Sequence, residues 1–209
     1  MAPWSKKRDG RVNEALINQL GGELEDKYSM TKGTDRYFIH PEDAKIIMQR
    51  EHIKSLFGSL PWYREDDRTV IWQHMSLILC ILISMRWTSW GDFKALFFQT
   101  LQGVQRPRYT DRNLPLKAEQ FPEHVPLSFS KRFCEYQFRF VPIFIRENSH
   151  LKYSTDHRLP ILEVERLREA EGAQGVVEKI RIEKRFLHYN TQASNPVVSS
   201  LVPASTHDR

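Results

Sequence analysis

The apolar positions of the chain change rhythm several times, and each change marks an element. Residues 1–40 are mostly polar; 13–20 is spaced for two turns of helix, which Gly21-Gly22 is expected to stop. From Pro41 the rhythm is helical. Pro41 suits a first helical position, and Glu42 and Asp43 sit at the positive end of the helix dipole. Ile46, Ile47, Ile53, Leu56, Phe57 and Leu60 then line one face, with a weak stretch at 49–52 that allows two short helices and a stop at Pro61. A second helix is predicted over 66–86, where Val70, Ile71, Met75, Ile78, Leu79 and Leu82 form a stripe that widens until the helix is apolar almost all round. The strongest apolar run, 75–85, spans roughly 16 Å as a helix, about half a bilayer core. It is expected to be a buried central helix and not a membrane span. A third helix is predicted from Ser89, with Asp92 at capping-box spacing and Trp90, Phe93, Leu96, Phe97 and Leu101 on its buried face.

The rhythm then breaks. Residues 102–128 carry Pro107, Pro115 and Pro122 with Arg106, Arg108 and Arg112, the composition of a connector. From 129 to 145 aromatic residues dominate (Phe133, Tyr136, Phe138, Phe140, Phe144); 129–137 allows a helix, and Pro142 favours extended chain after it. Strand-like alternation follows at Leu162 and Val164, and again at Val176, Glu178, Ile180 and Ile182, so 159–182 is predicted to be a β-hairpin. The expected fold is therefore α+β: a small N-terminal helical bundle, an aromatic-rich extended segment and a hairpin. Its expected divisions are a mobile N-terminus at 1–35, a helical unit at 36–101, a connector at 102–128, an aromatic-and-hairpin unit at 129–189 and a disordered tail at 190–209. The tail is rich in Ser, Thr, Asn and Pro.

Composition excludes several function classes. With 40% hydrophobic residues a core is affordable, and two cysteines, Cys80 and Cys134, are too few for a disulfide framework or a cysteine-rich zinc fold. They read as reduced thiols of an intracellular protein, cytoplasmic or nuclear. The basic stretch 1–11 is followed by no apolar run, so no secretory signal is expected. The excess of 31 Lys+Arg over 26 Asp+Glu is mild. Lys6, Lys7, Arg8 and Arg11, and Arg106, Arg108 and Arg112, would suit phosphate backbones, but acidic residues interrupt the rest and no nucleic-acid motif is present. None of the eight histidines pairs with another histidine or a cysteine at a metal-ligand spacing, so no metal site is expected.

One segment carries candidate chemistry. Ala170-Glu-Gly-Ala-Gln-Gly-Val-Val177 lies between the two predicted strands. Protein kinases place G-x-G-x-x-G-x-V there, so that backbone N–H groups cover the phosphates of ATP while the valine packs on adenine. Gly172 and Gly175 match the second and third glycines and Val177 the valine, whereas Ala170 replaces the first glycine. Taken alone, two glycines in a hairpin turn are better accounted for by turn geometry. Ahead of the hairpin come Asp111-Arg-Asn-Leu-Pro-Leu116, Gln137-Phe-Arg-Phe-Val-Pro-Ile-Phe144, His150-Leu-Lys-Tyr153 and Arg158-Leu-Pro-Ile-Leu162, in that order.

Over roughly 35–189 this resembles a group of filamentous-fungal protein-kinase-like proteins, in which a helical N-terminal region leads into the first glycine-rich hairpin of the kinase N-lobe. The resemblance implies that the chain is a truncated, non-catalytic relative of ATP-dependent protein kinases, with Gly172, Gly175 and Val177 as a vestigial nucleotide-binding loop. No V-A-x-K lysine follows Val177, and no H-R-D or D-F-G occurs after it; Asp156-His157-Arg158 and Asp92-Phe93-Lys94 match neither. The lysine for the phosphates, the catalytic base and the metal-binding Asp are thus missing. No cofactor is expected for this chain, ATP and Mg²⁺ belonging only to a complete kinase. The alternative is a helical protein-interaction module without kinase ancestry, presenting aromatics such as Trp62, Tyr63 and Trp90 to a protein partner. Neither a nucleic-acid nor a membrane partner is expected.

Overall fold

Residues 12–148, 150, 152, 156–166 and 178–189 are described by a computed structural model. In chain order its first half comprises α1 (Glu14–Asp26), β1 (Ser29–Met30), β2 (Tyr37–Phe38), α2 (Pro41–Ile47), α3 (Arg50–Phe57), α4 (Glu65–His74) and α5 (Ser76–Ser84). There follow α6 (Phe93–Phe97), β3 (Phe98–Leu101), β4 (Val104–Pro107), α7 (Leu127–Gln137), β5 (Ile145–Arg146), β6 (Ile161–Arg166), β7 (Glu178–Ile182) and β8 (Leu187–His188). The fold is mixed α+β, with helices and two-stranded pairs. The chain divides into two units, 1–28 with 39–141 and 29–38 with 142–209.

The first unit is built around α5. Every residue of α5 from Ser76 to Ile83 is buried, which requires cover on all sides. Among the described residues no helix is long and apolar enough to cross a membrane. One covering element is α1, which starts where Asn13 Oδ1 accepts the Leu16 N–H at 3.0 Å. It does not stop at Gly21-Gly22 but continues to Asp26. Two interior glycines cost about 1 kcal/mol each against alanine. Burying Leu20 and Leu24 completely returns roughly 1.5–3 kcal/mol each, so packing outweighs propensity. The 41–60 stretch does split into two short helices, but at Met48-Gln49: α2 ends at Ile47 and α3 begins at Arg50, so 50–52 are helical. His40 caps α2, its Nδ1 accepting the Glu42 N–H at 3.3 Å.

Three expectations within this unit are corrected. The helix predicted over 66–86 is broken at Met75 (φ −136°, ψ 17°). Asp111 Oδ1 accepts the N–H groups of Leu77 and Ile78 at 3.0 and 3.2 Å, so α5 begins afresh with its first turn capped from a distant loop. The third helix ends at Phe97 and not near Leu101; Ser89 makes no side-chain cap, and a 3₁₀ turn at Trp90–Asp92 precedes α6. Phe98 to Leu101 is a strand because Gln102 and Gly103 both take positive φ (49° and 75°), a two-residue turn that pairs Leu101 with Val104. Third, 102–128 is not a loose connector: Tyr109, Leu116, Phe121 and Val125 join the same core. The fully buried Gln137 amide clamps Leu116, accepting its N–H and donating to its C=O, both at 2.7 Å.

The aromatics expected to face a partner are also packed inward. Trp90 is 2% exposed, and Phe57 lies 5.1, 5.9 and 5.0 Å from the rings of Trp62, Trp90 and Phe93. Trp62 and Tyr63 are partly buried against the core.

In the second unit β1 pairs antiparallel with β2, β6 antiparallel with β7, and β5 parallel with β8. Phe186 fills its centre, 5.7 Å from Phe38 and 5.2 Å from Phe144. The hairpin thus forms where alternation predicts it. Of the aromatic stretch 133–144, Phe133 and Phe140 belong to the first unit's core, whereas Phe144 packs here. Strand β6 meets the β1–β2 segment: the Lys32 N–H donates to Leu162 C=O at 2.8 Å and Thr31 Oγ1 to Ile161 C=O at 2.6 Å.

Candidate functional site

Strands β6 and β7 run in register from Ile161 opposite Ile182 to Arg166 opposite Glu178, with a bulge between Ile161 and Glu163. They bracket 167–177. Gly172, Gly175 and Val177, with Ala170, lie outside the described residues. The flanking strands are half-buried at best; Val164 and Ile180, opposite one another, are both exposed. Their polar face is an ion-pair ladder. Glu163 meets Lys32 at 2.7 Å and Arg181 at 3.4 Å, and Lys179 meets Glu165 at 3.5 Å. The Lys32 hydrogen bond and charge hold the Glu163 carboxyl below the usual carboxylate range. Lys179 therefore sits on a solvated strand face, engaged with a carboxylate.

The titratable groups of the first unit are structural in their bonding. Burial pushes both thiols up, Cys80 far above its ordinary value and Cys134 to about 11. Both stay protonated near neutral pH, which removes them as nucleophiles. Lys94 pairs with Asp67 at 2.9 Å and donates to Trp62 C=O at 3.2 Å, closing α6 onto the start of α4. Burial also raises the Asp111 carboxyl above its ordinary value, against the two backbone N–H groups it accepts. Its Oδ2 is buried without a hydrogen-bond partner. His52 bonds Ile47 C=O through Nδ1 at 3.0 Å. Among the described residues no group of three His, Cys, Asp or Glu side chains gathers to hold a metal ion. Of the basic cluster, Arg106 lies on β4, across from Gln99, and Arg112 in the 3₁₀ turn Asp111–Asn113.

Sequence reasoning missed a cleft of about 510 Å³ in the first unit, a volume in the range of small-ligand sites. One wall is a single face of α1, including Ile17, Gly21 and Gly22; the other is the end of α5 and the following turn, with Ile83, Arg86 and Trp90. The signal was present as the glycine pair, but glycines inside a helical pattern are more readily read as a terminator. No family model matches the sequence, and neither a curated protein nor a solved structure matches the chain.

Proposed function

We propose that the chain is a non-catalytic protein-kinase-like protein, combining a helical N-terminal region with the glycine-rich hairpin of a kinase N-lobe. The observation that carries this reading is the antiparallel pairing of β6 with β7 on either side of the segment holding Gly172, Gly175 and Val177. A phosphate-covering loop needs that frame, because the two strands fix the backbone from which its N–H groups point. Phosphoryl transfer is not expected: the sequence carries no V-A-x-K, H-R-D or D-F-G after the hairpin, and Lys179 is engaged with Glu165 on a solvated face. The test is titration calorimetry with MgATP together with a radiolabelled phosphotransfer assay on the full chain. No transfer and no saturable micromolar binding are expected; either result would overturn the non-catalytic assignment. An experimental structure in which the backbone N–H groups of 172–177 cannot converge on a phosphate would remove the kinase kinship.

A second reading, a helical protein-interaction module, is favoured by a shallow groove in the first unit. There the exposed Ile46 (69%) and Trp72 (38%) stand among Lys45, Arg50 and Glu51. Affinity capture with the Ile46→Glu, Trp72→Ala double variant beside wild type tests it; an unchanged partner set would dispose of it.

A further inference from the structure

We propose that the cleft between α1 and the α5–Trp90 turn binds a small monocarboxylate with an apolar body. Three departures from local structural preference converge on it. The first is the Gly21-Gly22 pair in the interior of α1. Glycine is among the poorest helix formers, and a Cβ at Gly22 would meet nothing within 4 Å, so close packing does not call for it. What glycine provides there is bare backbone along the cleft wall. The second is Arg86. The end of α5 is a Schellman motif: Trp87 N–H bonds Leu82 C=O at 2.9 Å and Arg86 N–H bonds Ile83 C=O at 2.8 Å. Its left-handed residue, normally glycine, is Arg86 at φ 51°, and Arg86 lines the cleft. The third is Trp90, a residue of the cleft lining whose indole N–H is buried without a hydrogen-bond partner. Sites where sequence works against local preference are where function is expected.

The lining selects the ligand chemistry. Ile17, Ile83 and the indoles of Trp87 and Trp90, 5.1 Å apart edge to face, offer an apolar floor. Arg86 supplies a planar two-pronged donor suited to a carboxylate, and it makes no ion pair among the described residues. Glu14 and Glu25 stand on the rim from opposite ends of α1. With Arg86 they leave the lining net negative, so a polyanion is opposed most strongly and a single carboxylate is admitted only where it pairs with Arg86.

The proposal does not depend on the kinase-like reading. Tryptophan fluorescence and calorimetry on the full chain, with phenylbutyrate and decanoate as probes, test it, with phenylbutylamine and MgATP as comparators. Saturable binding of at least one carboxylate is expected, with neither comparator as tight. Arg86→Gly, which places the preferred residue at the helix end, is expected to melt no lower than wild type yet bind roughly tenfold more weakly or worse, one charge-assisted pair having been lost. Gly22→Phe, filling open space, is expected to abolish binding without unfolding the chain. Absence of saturable carboxylate binding, unchanged affinity in Arg86→Gly, or tighter binding of the amine or of MgATP would each overturn the proposal.

Discussion

Asp111 holds the start of α5 from a loop 34 residues away, and its two substitutions separate what the carboxylate does from what its charge does. Asp111→Ala leaves the N–H groups of Leu77 and Ile78 without their acceptor at the entrance to a fully buried helix. Each orphaned buried donor costs about 1–3 kcal/mol, so a loss of roughly 2–4 kcal/mol is expected. For a chain of this size that lowers Tm by roughly 10 °C. Asp111→Asn keeps Oδ1 as the acceptor and removes a charge that burial opposes; it is expected within about 1 kcal/mol of wild type at neutral pH. The pH dependence has a fixed sign. Burial raises the folded-state carboxyl above its ordinary 3.8, so the folded state takes up the proton first as pH falls. Wild type therefore gains stability relative to Asp111→Asn as pH drops through the raised value, and the gain is complete near 3.8. Urea unfolding of the three proteins by circular dichroism, repeated at several pH values, reads this directly. If Asp111→Asn loses as much as Asp111→Ala at neutral pH, the charge itself is what the site needs, with Lys45 and His74, whose charges act on Asp111, as the source, and the capping argument fails.

Further outcomes follow from single contacts. Gly22→Ala is expected to raise the urea midpoint by the equivalent of about 0.5–1 kcal/mol, since the added methyl enters open space on a helix; a lower midpoint refutes this. Lys94→Ala is expected to cost about 3 kcal/mol, because it removes the counter-charge of Asp67 in a mostly buried pair and leaves that carboxylate only the Arg64 N–H, whereas Lys32→Ala, at a 76% exposed side chain, leaves the melting temperature unchanged. Equal effects would contradict the burial argument. Cys134 is expected to react with iodoacetamide far more slowly in native than in urea-unfolded protein at pH 8, its thiol being pushed up to about 11, and comparable rates would contradict that.

The sequence was legible where the deciding interactions are local. Pro41 with Glu42 and Asp43 marks a helix start by itself, and α2 begins there; alternation across 161–166 and 178–182 marks strands, and these form. It was misleading where a distant residue or a stronger neighbour decides. Nothing between 66 and 86 announces a break at Met75, because the acceptor that restarts the helix is Asp111. Leu101 continues the stripe of Phe93 and Phe97, yet the Gln102-Gly103 turn claims it for a hairpin. Pro- and Arg-rich composition masked the burial of Tyr109, Leu116, Phe121 and Val125, spaced too irregularly to show a period. For the candidate sites, the hairpin frame was readable. The cleft was not, since it pairs one helix with a turn some sixty residues on.

The hairpin poses its own energetic problem. Two exposed strands are marginal in water without a third partner, and the β6–β7 ion pairs are solvated. What remains is the edge that 29–38 lays against β6, through the Lys32 N–H and the Thr31 hydroxyl. Thr31→Val keeps the shape of the side chain and removes the hydroxyl donor, a net loss of about 1 kcal/mol. Because the bond is local, the loss belongs to the opening of β6 and β7 and not to the helical core. Hydrogen exchange followed by mass spectrometry is expected to show faster exchange for peptides spanning 161–166 and 178–182, by roughly five-fold for 1 kcal/mol, with peptides of α5 unchanged. If the strand peptides exchange as in wild type, the Thr31 contact contributes nothing, and the hairpin must owe its order to Phe186 and its neighbours Phe38 and Phe144.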